Sequence, residues 1–332
     1  MPPGDDPADT RPADRATPAG GVAPRPFRFG VQASQAATGR DWAELARRVE
    51  GQGYSTLSMP DHFDDQLAPM PALATAAAVT QTLRVGALVF DNDYKHPLVL
   101  AKELATLDVL SEGRVEIGIG AGWMRTDYDQ AGMTYDPPGV RVDRFVEGLA
   151  VIKGVLSGEP FSFDGEHYRI DGHSGRPLPV QRPWPPFLIG AGGPRLLRIA
   201  GQEADIVGIN PTIPSGAVDA AAMADMVPAR VDAKVAAVQA GAGGRFGDIE
   251  LNVRAFIVNV TDDRRGVAET TAGFMGISPE ELLEMPFSCV GTPAQIADDL
   301  RARRERWGFS YVIVGAGDVE AFAPVVAELA GT

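Results

Sequence analysis

Short apolar runs alternate with longer amphipathic runs from residue 27 to the C-terminus. The short runs are apolar on both faces, as buried parallel strands are, and the longer runs repeat apolar residues at helical spacing. This pattern predicts strands over residues 27–32, 55–59, 83–90, 115–119, 187–189, 205–209, 250–259 and 311–314. It predicts helices over residues 41–52, 71–79, 98–110, 142–156, 195–201, 217–240, 293–307 and 319–329.

The alternation predicts an α/β fold. About eight β–α repeats in about 300 residues favour a (β/α)8 TIM barrel over two doubly wound domains. The length of 332 residues allows either. Residues 27–332 are therefore predicted to form a single TIM-barrel domain with insertions in the βα loops, near residues 157–185, 211–217 and 261–290. A hairpin is expected around residues 161–170, with Asp164 and Gly165 at its turn.

Residues 1–26 differ from the rest of the chain. They contain seven prolines and four aspartates but almost no large apolar side chain. Such a segment cannot offset its ordering entropy by burial, which predicts a disordered N-terminal leader. Its four aspartates and three arginines sum to a charge of −1, so nearly all of the formal net charge of −14 belongs to the predicted barrel.

The composition restricts the class of protein and its partners. A chain that is 45% hydrophobic and 22% charged is globular, and none of its apolar runs is long enough to cross a bilayer. The acidic balance and the lack of a Lys/Arg cluster argue against nucleic acid or an anionic membrane as partner, which leaves a small-molecule substrate. Cys289 is the single cysteine, which excludes an internal disulfide. Without an apolar signal segment at its N-terminus, a cytoplasmic location is expected.

Candidate chemistry follows the ends of the predicted strands, where a parallel barrel places its active site. His62 follows the second strand, directly after Asp61. A histidine can exchange a proton near neutral pH, and a neighbouring carboxylate can orient a bound group. A hydrogen-bonded structural histidine is the alternative. Asp61, Asp91 and Asp93 could also form a carboxylate pair for hydrolysis or bind Mg²⁺, although capping of a helix or loop explains them more simply.

Two glycine-rich turns follow the fourth and fifth strands. They are Gly120-Ala121-Gly122-Trp123 and Gly190-Ala191-Gly192-Gly193. Glycine lets backbone N–H groups approach an anion, and a helix N-terminus adds partial positive charge. The second turn is the better candidate, because Pro194 begins a helix and Arg195 lies in its first turn. For each turn, the alternative is a tight turn with no ligand.

The chain lacks the sequence motifs of several other enzyme classes. Neither glycine turn is a Walker A loop or a dinucleotide fingerprint. The four histidines form no His-Glu-x-x-His motif, so no metal site is predicted, and no Gly-x-Ser-x-Gly elbow is present.

In order and spacing, these segments resemble the luciferase-like monooxygenase superfamily and, within it, the branch of coenzyme F420-dependent oxidoreductases. The matching segments are SMPDHF at 58–63, LDVLSEGR at 107–114, GIGAGW at 118–123, GEHY at 165–168, PPFLIGAGG at 185–193, ADIV at 204–207 and VGTP at 290–293. Each segment alone is unspecific, but the ordered set covers the chain from about residue 27 to its C-terminus.

The resemblance implies that the mouth of the barrel holds coenzyme F420, or alternatively FMN. A bulged third strand, often with a non-prolyl cis peptide, would support the ring around Ala87, Leu88 and Val89. His62 and Asp61 match the positions that take part in proton transfer and contact the cofactor, and Asp61 is expected to position His62. The implied cofactor-binding residues are Asp61, Ala87, Leu88, Asn92, Gly120, Ala121, Gly122, Trp123, Gly190, Ala191, Gly192, Gly193 and Arg195.

The chain also departs from the family pattern. Trp123 stands where the sugar-phosphate dehydrogenases carry a catalytic glutamate, and a tryptophan expected soon after His62 is missing. These differences argue against glucose-6-phosphate and favour a less polar substrate. The cofactor is a polyanion, so a few cations should offset repulsion from the acidic protein. The candidates are Lys95, Arg125, Arg195 and Arg198.

The expected activity is therefore hydride transfer between F420 and a small organic substrate, as C=C or imine reduction or as alcohol oxidation. An FMNH2- and O2-dependent monooxygenase is the first alternative, and a flavin-binding barrel without catalysis is the second. The resemblance also suggests a homodimer.

Overall fold

The computed structural model describes residues 24–332, so most of the predicted leader at 1–26 lies outside the described residues. The strands are β1 (Arg28–Gln32), β2 (Thr56–Met59), β3 (Arg84–Ala87), β4 (Phe90–Asp91), β5 (Val115–Gly120), β6 (Pro160–Asp164), β7 (Arg169–Ser174), β8 (Phe187–Ala191), β9 (Ile206–Ile209), β10 (Glu250–Arg254), β11 (Ile257–Val260), β12 (Ser288–Gly291) and β13 (Phe309–Gly315). The α-helices are α1 (Gly39–Gly51), α2 (Pro69–Ala78), α3 (Pro97–Leu110), α4 (Arg125–Ala131), α5 (Pro138–Ser157), α6 (Pro194–Glu203), α7 (Ala220–Ala224), α8 (Pro228–Ala242), α9 (Arg264–Met275), α10 (Pro279–Glu284), α11 (Pro293–Trp307) and α12 (Val319–Leu329).

Eight parallel strands close into a barrel. Their order around the ring is β1, β2, β3, β5, β8, β9, β10 and β13, and β13 pairs with β1. The pairing of β3 with β5 closes the ring, and β4 continues β3 along the same partner strand. The predicted (β/α)8 fold is confirmed. None of the helices in the described part of the chain is long and apolar enough to cross a membrane.

Apolar side chains pack on both sides of the barrel wall. Outside, the strands pack against the helices, as when Phe29 of β1 meets Phe322 of α12 edge-on. Inside lies a smaller inner core formed by Leu188, Ile206, Tyr311 and Ile313. The barrel is therefore filled rather than hollow, and a ligand can enter only at one of its ends.

Charged side chains occupy the inside of the barrel where the strands begin. The guanidinium of Arg28 lies 2.6 Å from Glu116 on one side and 2.6 Å from Glu250 on the other. Arg84 donates to the same Glu116 carboxylate at 2.7 Å. Because these charges are paired with one another, we assign the charged residues at this end of the barrel a structural role. The opposite end carries the candidate site.

The third barrel strand is interrupted, as predicted. The chain leaves the ladder between β3 and β4, and the Leu88–Val89 peptide bond is cis. The side-chain amide of Gln32, at the end of β1, donates to the Leu88 carbonyl at 2.9 Å. The interruption places Leu88 and Val89 at the mouth of the barrel.

The insertion at residues 157–185 corrects one prediction, because it lies between α5 and β8 and not in a βα loop. It does contain the predicted hairpin, formed by antiparallel β6 and β7. The Glu147 carboxylate of α5 accepts the backbone N–H groups of residues 166–168 at 2.8–3.1 Å. The hairpin thus runs beside α5 and reaches the end of the third strand, where Tyr168 contacts Asn92. The spacing of apolar residues shows that an insertion exists but not at which end of the barrel its tip lies.

The other two insertions follow strands, as predicted. Residues 211–217 lie between β9 and α7, and residues 261–290 lie between β10 and α11. The helix predicted over 217–240 is divided into α7 and α8, since Pro228 begins a new helix and cannot continue one.

The strand predicted over 250–259 is also divided. The N–H of Ala255 still bonds to Ile313 in the barrel, whereas the N–H of Phe256 bonds to Phe287 outside it. The next strand, β11, then pairs in parallel with β12. The sequence pattern cannot reveal this change of partner strand, because the apolar run continues through both pairings.

Candidate active site

The floor of the barrel mouth is apolar. Leu88 and Val89 are half-buried and pack on the inner core. Gly120 and Gly190 flank Val89 from the neighbouring strands. A Cβ at Gly120 would lie 2.8 Å from Val89 Cγ2, and a Cβ at Gly190 would lie 3.1 Å from Val89 Cγ1. The glycines therefore leave room for the Val89 side chain, which forms an apolar platform together with Leu88.

His62 stands at this mouth and is held by Asp127. Its ring Nδ1 lies 2.7 Å from Asp127 Oδ2, and the same oxygen accepts the Tyr94 hydroxyl at 2.8 Å. Asp127 is buried in α4. An ionised carboxylate only accepts hydrogen bonds, so the His62 Nδ1 carries the hydrogen. In the neutral ring, Nε2 is then the atom free to take up a proton.

Asp127, not Asp61, therefore orients His62, which corrects the sequence-based expectation. Asp61 Oδ2 instead accepts the backbone N–H of Asp91 at 3.2 Å. The two side chains therefore have different partners although they are adjacent in the chain. Asp127 lies 65 residues beyond His62. No local pattern in the sequence could have paired them.

Behind the mouth lies a cluster of carboxyl and hydroxyl groups. Asp91 accepts the Tyr128 hydroxyl at 3.2 Å and the Asp93 N–H at 2.9 Å. Burial, together with the charges of Asp93 and Asp61, raises the pKa of Asp91 to about 7. Burial also raises the pKa of Asp61. Asp93 is paired with Arg144 at 2.7 Å. The cluster thus holds a carboxyl group that is partly protonated at neutral pH.

Aromatic side chains form the wall beside His62. The Trp123 ring meets the His62 ring edge-on, with centroids 5.5 Å apart. The Phe63 ring lies 4.4 Å from the Tyr94 ring, and 47% of Phe63 is exposed. This wall offers apolar contact area next to His62.

The turn after β8 is held from below by a buried lysine. Lys234 donates to the Gly192 carbonyl at 2.7 Å and is paired with Asp225 at 2.6 Å. A trans peptide points its C=O and N–H in opposite directions, so the N–H of Gly193 points away from Lys234. A Cβ at Gly193 would meet no atom within 4 Å, whereas one at Gly192 would lie 2.3 Å from the Pro211 carbonyl oxygen. Gly193 is also the N-cap of α6, so the turn presents backbone donors to open space.

Three predicted cofactor contacts can act only through their backbone. Ala87, Ala121 and Ala191 are buried in the packing between the strands and the helices. In the turn after β5, the Gly122 carbonyl accepts Arg141 Nη1 at 2.7 Å.

Asn92 is not brought into the mouth. It is 1% exposed, and its amide nitrogen lies 3.2 Å from the Tyr168 hydroxyl. Its Oδ1 fills the space beside Gly148 of α5, where a Cβ would lie only 2.1 Å away. The side chain therefore packs on the outer side of the barrel wall, against α5 and the hairpin.

Three of the four predicted cations pair with nearby carboxylates. Lys95 lies 2.6 Å from Glu103, Arg125 lies 3.4 Å from Asp129, and Arg195 pairs with Asp143. Arg198 is exposed on α6. Arg195 thus bridges α6 to α5 across the surface, and its charge is offset by its partner.

Gln32 and Arg254 belong to the mouth but carry no sequence signal. Arg254 Nε donates to Gln32 Oε1 at 3.1 Å, and Gln32 reaches the Leu88 carbonyl. They lie 222 residues apart in the chain and meet because β1 and β10 both flank β13. No group of three or more His, Cys, Asp and Glu within residues 24–332 is arranged to hold a metal ion.

The fold and the composition of this mouth agree with the family assignment. Residues 23–276 match the family model of luciferase-like monooxygenases, so the chain belongs to the luciferase-like monooxygenase family. A coenzyme F420-dependent tetrahydromethanopterin reductase from Methanopyrus kandleri has the same fold. It superposes with a TM-score of 0.73 at 22% identity, covering 92% of this chain and 99% of the other.

Two relatives with named activities differ in their cofactor. An F420-dependent glucose-6-phosphate dehydrogenase from Nakamurella multipartita is 32% identical over 193 residues, covering 55% of this chain and 56% of the relative. An FMNH2-dependent dimethylsulfone monooxygenase from Pseudomonas putida is 25% identical over 221 residues, covering 65% and 57%. The matches span little more than half of the length of these relatives. Both are oxidoreductases.

Proposed function

We propose that this protein transfers a hydride between coenzyme F420 and a small organic substrate, by reducing a C=C or imine bond or by oxidising an alcohol. The observation that carries the proposal is the His62–Asp127 pair, 2.7 Å apart, at the edge of the mouth with the Leu88–Val89 platform. This arrangement couples a proton-exchanging group to a surface that suits a flat ring. The F420-dependent relative from Nakamurella multipartita supports the choice of cofactor.

The residues of the mouth fit a deazaflavin or a flavin. Leu88 and Val89 offer an apolar surface for a tricyclic ring. Gly120 and Gly190 leave room for the Val89 side chain in this surface. The open donors at Gly193 suit a phosphate on the chain attached to that ring. Leu88, Val89, Asp61 and the two glycine turns would therefore hold the cofactor. When bound, F420 supplies or accepts the hydride.

His62 handles the accompanying proton in this proposal. Its Nδ1–H is fixed on Asp127, so Nε2 is the atom that exchanges a proton with the substrate. The buried Asp127 carboxylate holds the ring in one orientation, with Nε2 directed away from it. The Tyr94 hydroxyl on the same carboxylate oxygen limits the movement of the pair.

The aromatic wall favours a substrate that is not a sugar. The Trp123 ring lies directly beside the His62 ring, with the two centroids 5.5 Å apart. Phe63 and Trp123 contribute apolar area. A substrate with an apolar or aromatic portion next to the reacting carbon fits this wall.

An FMNH2- and O2-dependent monooxygenase is the second candidate function. The match to the dimethylsulfone monooxygenase from Pseudomonas putida favours it. The same platform and glycine turns suit FMN, since both cofactors combine a tricyclic ring with a phosphate.

Absorbance titration of the purified protein with F420 and with FMN separates the two candidates. Tight binding of F420, followed by substrate-dependent change of its absorbance under argon, is the expected result. Tight FMN binding without F420 binding would refute the proposal, and oxygen consumption with FMNH2 and substrate would then support the monooxygenase. The native mass of the same sample tests the expected homodimer.

A further inference from the structure

One cation at the mouth has no carboxylate partner. Arg254 ends β10, and its side chain is half-buried inside the top of the barrel. It forms no salt bridge with any carboxylate among residues 24–332, in contrast to Lys95, Arg125 and Arg195. Asp318 is the carboxylate whose charge acts on Arg254, but it forms no salt bridge with the arginine, and its Oδ2 accepts the Gly315 N–H at 3.1 Å.

The guanidinium is fixed by its neighbours while one of its nitrogens stays free. Nε donates to Gln32 at 3.1 Å, and Nη1 donates to the Ala255 carbonyl. Nη2 donates to no atom of the described chain. A Cβ at Gly315 would lie 3.1 Å from this Nη2 and 2.9 Å from Asp318 Oδ2, so the glycine leaves the space between the two groups unfilled.

The position of Arg254 connects it to the platform. Gln32 bonds to Arg254 with its oxygen and to the Leu88 carbonyl with its nitrogen, so a continuous hydrogen-bonded line runs from the cation to the edge of the platform. His62 lies on another side of the mouth, at the end of β2. Arg254 and His62 thus both belong to the mouth in which Leu88 and Val89 form the floor.

An aromatic ring stands next to the cation. The Arg254 guanidinium lies 5.6 Å from the centre of the Phe256 ring, which stacks on Phe287. Phe256 is 49% exposed. The cation and the exposed ring together suit a group that is both anionic and attached to a flat apolar body.

We propose that Arg254 binds an anionic oxygen of the substrate, so that the substrate is an organic anion such as an aromatic carboxylate. This inference rests on the proposed function, since it assigns the substrate class for the same mouth. A partly desolvated guanidinium gains most from an anion that replaces its missing partner. Gln32 and Ala255 hold it in place, so little side-chain entropy is lost when the anion binds.

The assignment is tested with benzoate and its neutral analogue benzamide as probes. Both are titrated by calorimetry into the full chain, with and without F420. We expect wild-type protein to bind benzoate more tightly than benzamide. Arg254→Met should weaken benzoate binding by about ten- to hundredfold, the effect of a hydrogen bond to a charged group, and leave benzamide and F420 binding unchanged. Arg254→Lys should retain part of the benzoate affinity. Arg301→Met is the control, since it removes the same charge from the outer helix α11.

Any one of four results would overturn the assignment. Benzoate could bind wild-type protein no better than benzamide. This comparison uses wild-type protein alone and does not depend on the folding of a variant. Benzoate affinity could be unchanged in Arg254→Met, or it could fall equally in Arg301→Met, which would indicate net charge alone. F420 affinity could fall in Arg254→Met while benzoate affinity does not, which would assign the arginine to the cofactor. A protein that binds neither F420 nor FMN refutes the proposed function separately, because the titration without cofactor still reports on Arg254.

Discussion

His62 depends on a carboxylate that the chain supplies 65 residues later. The histidine itself could be predicted, because it directly follows a strand and parallel strands end at the active side of a barrel. Its partner could not, since Asp127 lies in the short helix α4, which follows a different strand of the barrel. Asp61, the obvious neighbour in the sequence, points elsewhere. At the scale of single residues, adjacency in the chain is a poor guide to contact.

Replacing Asp127 should reduce kcat more than it reduces the affinity for the cofactor. In Asp127→Asn the amide can donate to Nδ1, which moves the ring hydrogen to Nε2 and blocks proton uptake there. We expect kcat to fall by about 10²–10⁴, the range that a positioned acid or base contributes, with F420 affinity unchanged. Steady-state kinetics and an F420 titration measure both.

Asp129→Asn is the matched control for that change. Asp129 lies on the same helix, carries the same charge and is 59% exposed. A kcat for Asp127→Asn equal to that of the control would show that the His62–Asp127 pair is only structural.

The buried Asp91 should make stability depend on pH. Burial raises its pKa from 3.8 to about 7 in the folded protein. Between these pH values the folded state keeps a proton that the unfolded state has released, so rising pH removes stability. Asp91→Asn cannot ionise. Relative to wild type, this variant should therefore be more stable at pH 8 than at pH 5, by about 1–3 kcal/mol.

Urea unfolding of both proteins at the two pH values gives this difference. The exposed Asp64→Asn serves as control and should show no comparable change between pH 5 and pH 8. The assignment of a buried proton to Asp91 fails when the relative stability of Asp91→Asn is the same at both pH values.

At the scale of elements, the glycine turn after β8 is positioned by a helix and a loop from other parts of the chain. Lys234 of α8 fixes the Gly192 carbonyl, and the loop after β9 packs against Gly192 through Pro211. At the start of α6, a Cβ at Gly193 would meet no atom within 4 Å. The sequence identified this turn as a candidate anion site. The lysine that holds it carries no motif, because its role depends on the packing of α8 against α6.

Two alanine substitutions one residue apart should separate binding from folding. Gly193→Ala is tolerated by the backbone, whose φ is −80°, and places a methyl group in front of the free donors. It should weaken F420 binding by about tenfold and leave the phosphate-free deazaflavin fragment unaffected. Gly192→Ala, whose Cβ would lie 2.3 Å from the Pro211 oxygen, should instead lower the melting temperature.

Fluorescence titration with both ligands and thermal unfolding measure these effects. An equal loss of affinity for F420 and for the phosphate-free fragment in Gly193→Ala would exclude this turn as the phosphate site.

Whole-molecule charge opposes the proposed cofactor. A protein with a formal net charge of −14 repels a polyanion at long range, and the candidate cations near the mouth are mostly paired. Salt screens this repulsion. The association rate of F420 should therefore rise when NaCl is increased from about 10 to about 200 mM, by about two- to tenfold. The rate for the phosphate-free fragment should change less.

Stopped-flow fluorescence measures both association rates. A rate for F420 that falls with added salt would mean that local cations dominate the field at the mouth. That outcome would contradict repulsion as the controlling effect.

Local information accounts for the barrel, its order of elements and the positions where chemistry can occur. The alternation of apolar strands and amphipathic helices predicts the (β/α)8 fold, because each element must bury one face and only a few layer arrangements do so. Helix α11 begins and ends where its pattern predicts, at Pro293 and Trp307. His62 and the two glycine turns are found from their places after strands.

Contacts across the barrel were decided by the tertiary structure alone. Asp127 on His62, Lys234 on Gly192 and Gln32 between Arg254 and Leu88 all join residues far apart in the chain. The same holds for the hairpin that begins after α5 and ends beside Asn92. Periodicity reports which face of an element is buried but not which element covers it. Partners of a polar side chain are fixed only when the strands close into a ring and bring their ends together.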